Sequence, residues 1–337
     1  MRATLTIDLE AIADNWRALD ALSAGETAAV VKADAYGLGM SHVAPALWNA
    51  GARTFFVALA EEGVELRRAL GPEARIFVFS GHMPGDKIAM IAGDLIPILN
   101  SPDQLARFHE RLPGRKYALH WDTGMNRLGF KAAEIAALTG LKPELVITHL
   151  ACSDGPAHPM NAAQLAAFKK LPDFGAPRCL AATGGVLLGE AYHFDMTRPG
   201  VGLYGGLPFA DAKPVITLTL PVIQEREIGV GECVGYGMTW VAERPSFIAT
   251  VSAGYADGLI RAMGNKAALY ADGIRCPVVG RVSMDMITVD VTELRETPDS
   301  LEILNDIQTI DVLAEMAGTI GYEILTSLGN RYNRVYL

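Results

Sequence analysis

Residues 8–205 alternate short runs rich in β-branched residues with amphipathic stretches of helical length. This pattern limits the possible folds more than any other feature of the sequence, because parallel strands need helices as crossovers. Eight runs can be counted, which predicts an α/β fold that begins with a (β/α)8 TIM barrel. The predicted strands are residues 28–32, 55–57, 75–79, 95–99, 116–120, 146–149, 178–180 and 194–196. A Ser-Pro pair predicts that one barrel helix covers residues 101–111.

A doubly wound open sheet is the alternative architecture. Its dinucleotide-binding fingerprint is a GxGxxG sequence directly after the first strand. Only Gly37-Leu38-Gly39 follows the first predicted strand here, and this short sequence is weak evidence. The barrel therefore remains the better prediction.

The pattern changes after about residue 212. Val, Ile and Thr alternate with other residues between glycine-rich turns, as in residues 216–222, 246–252 and 274–279, which is typical of β-strands. We predict a barrel over residues 8–212 and a mostly β C-terminal domain over residues 213–337. The strand-like N-terminal residues 1–7 are candidates to join the second domain.

Composition excludes several functional classes. The chain has 337 residues and a net charge of −9, whereas nucleic-acid surfaces need clustered basic residues. Its four cysteines form no CxxC pair, so neither zinc nor another metal is expected. No apolar window is long enough to span a membrane, and the N-terminal residues lack the apolar region of a secretory signal. The sequence predicts a cytoplasmic protein with a small-molecule partner.

Loops that follow barrel strands usually build the active site. Lys32 directly follows the apolar residues 29–31, where it is either an ordinary lysine at a strand end or a lysine that forms a Schiff base. Glycine-rich segments follow the last two strands, at residues 183–185 and 198–202. Each alone could be a plain turn. Together they favour a phosphorylated cofactor, since barrels commonly bind phosphate after these strands.

Six segments in order along the chain resemble the alanine racemase family. They are residues 29–39 (AVVKADAYGLG), 122–129 (DTGMNRLG), 148–150 (THL), 198–200 (RPG), 254–258 (GYADG) and 280–285 (GRVSMD). The likeness covers nearly the whole chain.

The resemblance implies an isomerase that interconverts L-alanine and D-alanine with pyridoxal 5'-phosphate and supplies D-alanine for peptidoglycan. Lys32 would hold the cofactor covalently and handle the Cα proton on the D face, and Tyr255 would serve the L face. Inversion needs two such groups, because a proton leaves one side of the carbon and another arrives on the opposite side.

The resemblance also implies the remaining site residues. Arg198 would face the pyridine nitrogen of the cofactor, and His149 would support the network around it. Phosphate contacts would come from Tyr36, Gly200 and Val201 together with the segment Thr183-Gly184. The substrate carboxylate would meet Arg127 and the backbone amide of Met284. The family likeness further implies a head-to-tail homodimer in which Tyr255 of one subunit faces Lys32 of the other.

Three positions depart from the family pattern. His120 stands where many members carry a carbamylated lysine that braces the substrate arginine, and another anion would have to take that role. Thr183-Gly184 replaces the usual Asn-Ser, so that a hydroxyl contact to phosphate is either lost or supplied by Thr183. Asn330 occupies the place of an entrance tyrosine.

Three other functions are compatible with parts of this pattern. A broad-specificity amino-acid racemase could use the same scaffold, because a pocket rejects an extra methylene by only about 1–3 kcal/mol. A non-catalytic pyridoxal-phosphate carrier would explain Lys32 but not the GYADG segment. A decarboxylase would share the barrel, although its relatives carry different C-terminal motifs.

Overall fold

The computed structural model describes residues 2–138 and 140–337. The chain divides into two compact units, one formed by Ile12–Lys213 and the other by the residues up to Ala11 together with Pro214–Leu337. The N-terminal strand β1 (Thr4–Ile7) belongs to the second unit. Across the described residues, no helix is both long and apolar enough to cross a membrane.

The first unit contains a barrel of short parallel strands. Their side chains are almost all buried, as expected of parallel strands whose two faces are both covered. The strands are β2 (Glu26–Thr27), β3 (Ala29–Val30), β4 (Thr54–Val57), β5 (Arg75–Val78), β6 (Ile96–Leu99), β7 (Ala118–His120), β8 (Val146–Ile147), β9 (Arg178–Cys179) and β10 (Met196–Thr197). The predicted TIM-like barrel is thereby confirmed.

Strands β2 and β3 are the two halves of the first barrel strand. β2 pairs with the last strand, β10, whereas β3 pairs with β4. Ala28 separates the halves, and its N–H still donates to the Thr197 carbonyl at 2.9 Å. The ring of eight strand positions therefore closes at this strand. The prediction that the first strand covers residues 28–32 was wrong at both ends, because the strand starts at Glu26 and its pairing ends at Val30.

The last barrel strand was also misplaced. We predicted it at residues 194–196, but β10 covers Met196–Thr197. Phe194 has a φ of 54°, a left-handed conformation that a strand residue cannot adopt. Phe194 instead packs edge-on against Phe168 with the ring centroids 5.0 Å apart.

Helices follow most of the barrel strands. They are α1 (Leu9–Leu22), α2 (Lys32–Tyr36, which is a left-handed turn), α3 (Met40–Ala50), α4 (Ala60–Leu70), α5 (Lys87–Ala92), α6 (Pro102–Arg111), α7 (Pro159–Lys169) and α8 (Thr183–Leu187). A 3-10 helix, Ala132–Leu138, follows β7. The helix α6 begins as predicted, because the Ser101 hydroxyl accepts the Gln104 N–H and Pro102 occupies the first turn.

The second unit contains a mostly antiparallel sheet and a separate two-stranded sheet. Its strands are β11 (Ile216–Ile228), β12 (Cys233–Val234), β13 (Trp240–Val241), β14 (Ser246–Val251), β15 (Ala268–Ala271), β16 (Ile274–Pro277), β17 (Ile287–Asp290), β18 (Ser300–Leu304) and β19 (Asn333–Tyr336). The two-stranded sheet is formed by β12 and β13. The order of the larger sheet is β16-β15-β18-β11-β1-β19, and β14 links β11 to β17. Two helices, α9 (Ile310–Ala317) and α10 (Gly321–Ser327), complete the unit.

The long strand β11 organises this sheet. Its first half pairs with β1 and β18, and its second half pairs with β14 from Val222 onward, with a shift in register between Val222 and Gln224. Such a bulge bends a strand and lets it serve two groups of partners. The N-terminal residues therefore pair with β11 on one side and, through β1, with the C-terminal strand β19 on the other.

Candidate active site

Polar side chains gather at the carboxyl ends of the barrel strands. Because parallel barrel strands end at the same face, the residues that follow them face one opening. These residues are Lys32 after β3, Asn100 after β6, His120 at the end of β7, His149 after β8, Thr183 after β9 and Arg198 after β10. Eight of the sequence-predicted site residues, besides Arg127, belong to this barrel unit, whereas Tyr255 and Met284 belong to the β-rich unit.

Lys32 lies at the start of an unusual turn. Ala33, Asp34, Ala35 and Tyr36 all have φ angles between 53° and 57°, so that four consecutive non-glycine residues form a left-handed turn. The Glu62 carboxylate accepts the Ala33 N–H at 2.7 Å, and the same carboxylate accepts the N–H groups that begin α4. The turn therefore fixes the backbone directly beside Lys32.

The Lys32 side chain is half-buried, and its Nζ lies 5.6 Å from the centre of the Phe79 ring. Burial lowers the pKa of the Lys32 amine from its ordinary value of 10.5, and the positive charges of Arg127 and Arg198 lower it further. A neutral amine is a nucleophile toward an aldehyde, whereas an ammonium ion is not. The site thus favours the reactive form of Lys32.

Arg198 is almost fully buried, with 1% of its surface exposed. Its Nη1 donates to the Cys179 carbonyl and sulfur, and its Nη2 donates to the Thr148 carbonyl and to His149 Nδ1 at 2.9 Å. Its Nε has no hydrogen bond to any described residue. These acceptors fix the guanidinium plane and leave one N–H available to a ligand.

His149 is neutral in this arrangement. Its Nδ1 accepts a hydrogen bond from Arg198 and so carries no proton. Burial, and then the charge of Arg198, hold the pKa of His149 well below its ordinary value of 6.5. The structure therefore supports the expected contact between these two residues.

His120 is held by a residue that the sequence analysis did not identify. Its Nδ1 lies 2.8 Å from Asn100 Oδ1, and Asn100 Nδ2 donates to the Phe79 and Ile98 carbonyls. The amide orientation of Asn100 thus makes its Oδ1 an acceptor, and His120 Nδ1 the donor. Burial, followed by the charges of Arg198 and Arg127, lowers the pKa of His120 to about 4.

Arg127 extends from the loop after β7. Asp122 Oδ1 accepts the N–H groups of Gly124 and Asn126, which shapes this loop. The Arg127 side chain is exposed and makes no hydrogen bond or ion pair with the described residues. Its guanidinium is therefore available to a carboxylate, which it can bind with two parallel N–H groups.

Thr183 joins the two glycine-rich segments, residues 183–185 and 198–202, by hydrogen bonds. Its hydroxyl accepts the N–H of Gly200 at 3.1 Å and that of Gly202 at 3.2 Å. A side chain on Gly200 would collide with the Tyr36 hydroxyl, so that this tyrosine lies directly against the loop. Val201 is buried and begins the 3-10 helix Val201–Tyr204. The arrangement supports these residues as the candidate phosphate-binding segment.

Tyr255 lies on a short 3-10 turn of the β-rich unit, with its side chain 43% exposed. Asp257, on the same turn, is buried and accepts the Gly254 N–H at 2.9 Å. Arg331 bridges Asp257 at 2.9 Å and Asp285 at 2.7 Å. The Ala256 N–H donates to the Met284 carbonyl. The turns that carry Tyr255 and Met284 are therefore joined by both an ion-pair bridge and backbone hydrogen bonds.

The guanidinium groups of Arg127 and Arg198 give the barrel opening a positive charge. Lys32, Arg127, His120, His149 and Arg198 each influence the ionisation of others in this group. Such a cluster fits an anionic ligand, since phosphate and carboxylate charges offset mutual repulsion among the basic groups. The nucleophilic lysine fits the aldehyde of pyridoxal phosphate, and the glycine backbone fits its phosphate. The buried arginine fits its ring. The residues present thus fit this cofactor.

A parallel barrel with such a lysine after its first strand, and glycine loops after its last two, defines a class of barrel enzymes that bind pyridoxal phosphate. Two family models match the chain, "Alanine racemase, N-terminal domain" over residues 7–208 and "Alanine racemase, C-terminal domain" over residues 215–336. The chain therefore belongs to the alanine racemase family, which depends on pyridoxal phosphate.

Similar proteins support this assignment along the whole length. The alanine racemases of Cereibacter sphaeroides and Dinoroseobacter shibae are each 60% identical over 341 aligned positions, which cover 99% of this chain and 98% of each relative. Among solved structures, that of alanine racemase from Bartonella henselae with covalently bound pyridoxal phosphate is 37% identical, with a TM-score of 0.94 and complete coverage of both chains. The biosynthetic alanine racemase of Pseudomonas aeruginosa is 36% identical with a TM-score of 0.92, over 100% of this chain and 99% of that chain.

Sequence reasoning missed Asn100, the partner of His120, and Arg331, which bridges two carboxylates. Asn100 directly follows β6, so the rule that strand ends carry the chemistry could have found it. No comparable signal marks Arg331, because its partners are distant in the sequence.

Proposed function

We propose that this chain interconverts L-alanine and D-alanine with pyridoxal phosphate bound at Lys32. The observation that carries the proposal is the half-buried Lys32 amine, whose pKa is lowered beside a set of cationic side chains. Pyridoxal phosphate supplies an electron sink that makes the Cα proton of the substrate removable.

The chain's own residues would divide the remaining tasks. Lys32 Nζ would hold the cofactor and then carry the proton on the D face, and Tyr255 Oη would carry the proton on the L face. Arg127 and the backbone N–H of Met284 would bind the substrate carboxylate. Residues Tyr36, Thr183, Gly184, Gly200 and Val201 would surround the cofactor phosphate.

Arg198 would set the strength of the electron sink. Its Nε would face the pyridine nitrogen, while His149 and backbone carbonyls fix the other side of the guanidinium. Because an arginine does not give up a proton, the ring nitrogen would stay unprotonated. The charge that develops at Cα would then be short-lived, which favours proton return over transamination.

The test is exchange of the alanine Cα hydrogen in heavy water, followed by proton NMR for each enantiomer separately. We expect the wild type to exchange both enantiomers and Lys32→Ala to exchange neither. Tyr255→Phe should lose exchange mainly with the L enantiomer. Equal exchange of both enantiomers by Tyr255→Phe would contradict the division of roles.

Cofactor attachment needs a separate test. Borohydride reduction followed by peptide mass analysis should place the pyridoxyl group on Lys32 in the wild type. The label should be absent from Lys32→Ala. A label on another lysine would refute the assignment of Lys32.

Alanine is the proposed substrate, in agreement with the activity for which the similar proteins are named. Broad amino-acid specificity is not favoured, and assays with serine, lysine and arginine would detect it. We also propose that the product D-alanine serves peptidoglycan synthesis in the cytoplasm.

We propose a homodimer in which Tyr255 of the partner subunit faces Lys32. Tyr255 is 43% exposed on the β-rich unit, which leaves its phenol accessible. Activity should then fall when the enzyme is diluted below the dissociation constant of the dimer. A fully active monomer would contradict shared active sites.

A further inference from the structure

Gly184 is packed too tightly to carry a side chain. A Cβ built on Gly184 would lie 2.6 Å from Ser153 Oγ and 2.8 Å from both Ser153 Cβ and the Ser153 carbonyl oxygen. Such separations are below van der Waals contact, and a backbone oxygen cannot rotate away. Ser153 therefore occupies the space that a side chain at position 184 would need.

Gly184 has no hydroxyl of its own, and the oxygen of the preceding Thr183 already accepts two hydrogen bonds. The Thr183 oxygen accepts the Gly200 and Gly202 N–H groups, and the residue is 2% exposed. A hydroxyl can accept two hydrogen bonds and still donate one, so Thr183 shapes the loop and keeps its own hydrogen for a ligand. A second hydroxyl beside Gly184 comes from another segment.

Ser153 is the residue that offers this hydroxyl. It lies in the loop after β8, is half-buried, and its Oγ has no hydrogen bond to any described residue. Two side chains of α7 hold the loop. Asn161 Nδ2 donates to the Cys152 and Gly155 carbonyls, and Gln164 Oε1 accepts the Ala151 N–H at 2.8 Å.

We propose that the Ser153 hydroxyl donates a hydrogen bond to the phosphate group of pyridoxal phosphate, in the position beside Gly184. This inference rests on the proposed function, which places the phosphate at the loops that Thr183 joins. The anchored backbone on both sides of Ser153 holds the hydroxyl in place before the cofactor arrives. Ser153 is then a cofactor-binding residue contributed by the sixth barrel strand position.

The test compares two aldehydes on the cofactor-free protein. Pyridoxal phosphate and pyridoxal can both bond to Lys32, but only the first carries the phosphate. Dissociation constants come from absorbance and tryptophan-fluorescence titrations, without any measurement of activity. We expect Ser153→Ala to weaken the binding of pyridoxal phosphate about tenfold or more, because a hydrogen bond to a charged group is lost. Pyridoxal affinity should not change.

Ser80→Ala is a matched control, because Ser80 follows β5 and its buried hydroxyl also has no hydrogen bond among the described residues. It should leave both affinities unchanged. Ser153→Gly removes the same hydroxyl and covers the case in which alanine disturbs the loop.

Unchanged pyridoxal-phosphate affinity in both Ser153 variants would overturn the inference. An equal loss for both aldehydes would also overturn it, because the effect would then lie in the loop structure and not in the phosphate contact. A wild-type protein that binds neither aldehyde would instead refute the proposed function, which is a distinguishable result.

Discussion

Acid should destabilise the cofactor-free protein through His120. This side chain is 8% exposed, donates through Nδ1 to Asn100, and lies among the charges of Arg198 and Arg127. Protonation would place a further positive charge in this cluster. Burial and the neighbouring arginines accordingly lower the pKa of His120 to about 4, against about 6.5 in an unfolded chain.

The sign of the effect follows from the lower native pKa. As pH falls below about 6.5, the unfolded chain takes up the proton before the native protein does, and the free energy of unfolding decreases. The loss levels off below about pH 4, where the native protein is protonated as well. At about 1.4 kcal/mol per pKa unit, the total amounts to about 3 kcal/mol. Between pH 7 and pH 5 the same pKa values give about 2 kcal/mol.

The assay is urea unfolding of the cofactor-free protein at pH 7 and pH 5, at one fixed protein concentration. His120→Gln keeps a neutral donor toward Asn100 and should reduce the pH-dependent loss by about 2 kcal/mol relative to the wild type. His109→Gln, an exposed histidine on α6, is the control and should not alter this loss. An identical pH dependence in the wild type and His120→Gln would refute the reasoning.

Two further substitutions test the packing of the site. Gly200→Ala should weaken pyridoxal-phosphate binding about tenfold or more in a titration, because the added methyl would displace the Tyr36 hydroxyl. Overpacking of this kind typically costs about 1–3 kcal/mol. Unchanged affinity would contradict the contact between Gly200 and Tyr36. Arg331→Lys should lower kcat about tenfold in both directions, while the absorbance of the bound cofactor is retained. Lysine has no planar fork with which to bridge two carboxylates, so the turn that carries Tyr255 would loosen. An unchanged kcat would show that this bridge does not position Tyr255.

The sequence predicted most of the barrel because its parallel strands are apolar on both faces and regularly spaced. Lys32 could be identified for the same reason, since a charged residue after a buried strand marks the strand end. The ends of the first and last barrel strands were predicted wrongly. The first strand begins at Glu26, a polar residue that the apolar pattern does not indicate, and the backbone of Phe194 is left-handed although its side chain favours strands.

The contacts that complete the site could not be predicted from local patterns. Asn100 and His120 are 20 positions apart, and Ser153 in the loop after β8 lies against Gly184 of α8. Such pairs depend on how the ends of neighbouring strands face each other, which a single sequence does not encode in its periodicity. The departure at His120 is visible in the sequence, and Asn100 follows a strand, but the hydrogen bond between them is visible only in three dimensions.

A common rule of protein stabilisation does not hold in the left-handed turn beside Lys32. Replacing glycine with alanine usually stabilises a protein by reducing the freedom of the unfolded chain. In this turn an L-residue costs roughly 1–2 kcal/mol in backbone strain, whereas glycine adopts the same angles freely. The exposed Ala33, with φ of 53° and ψ of 49°, is thus a position where an engineer seeking a more heat-resistant enzyme would introduce glycine and not remove it.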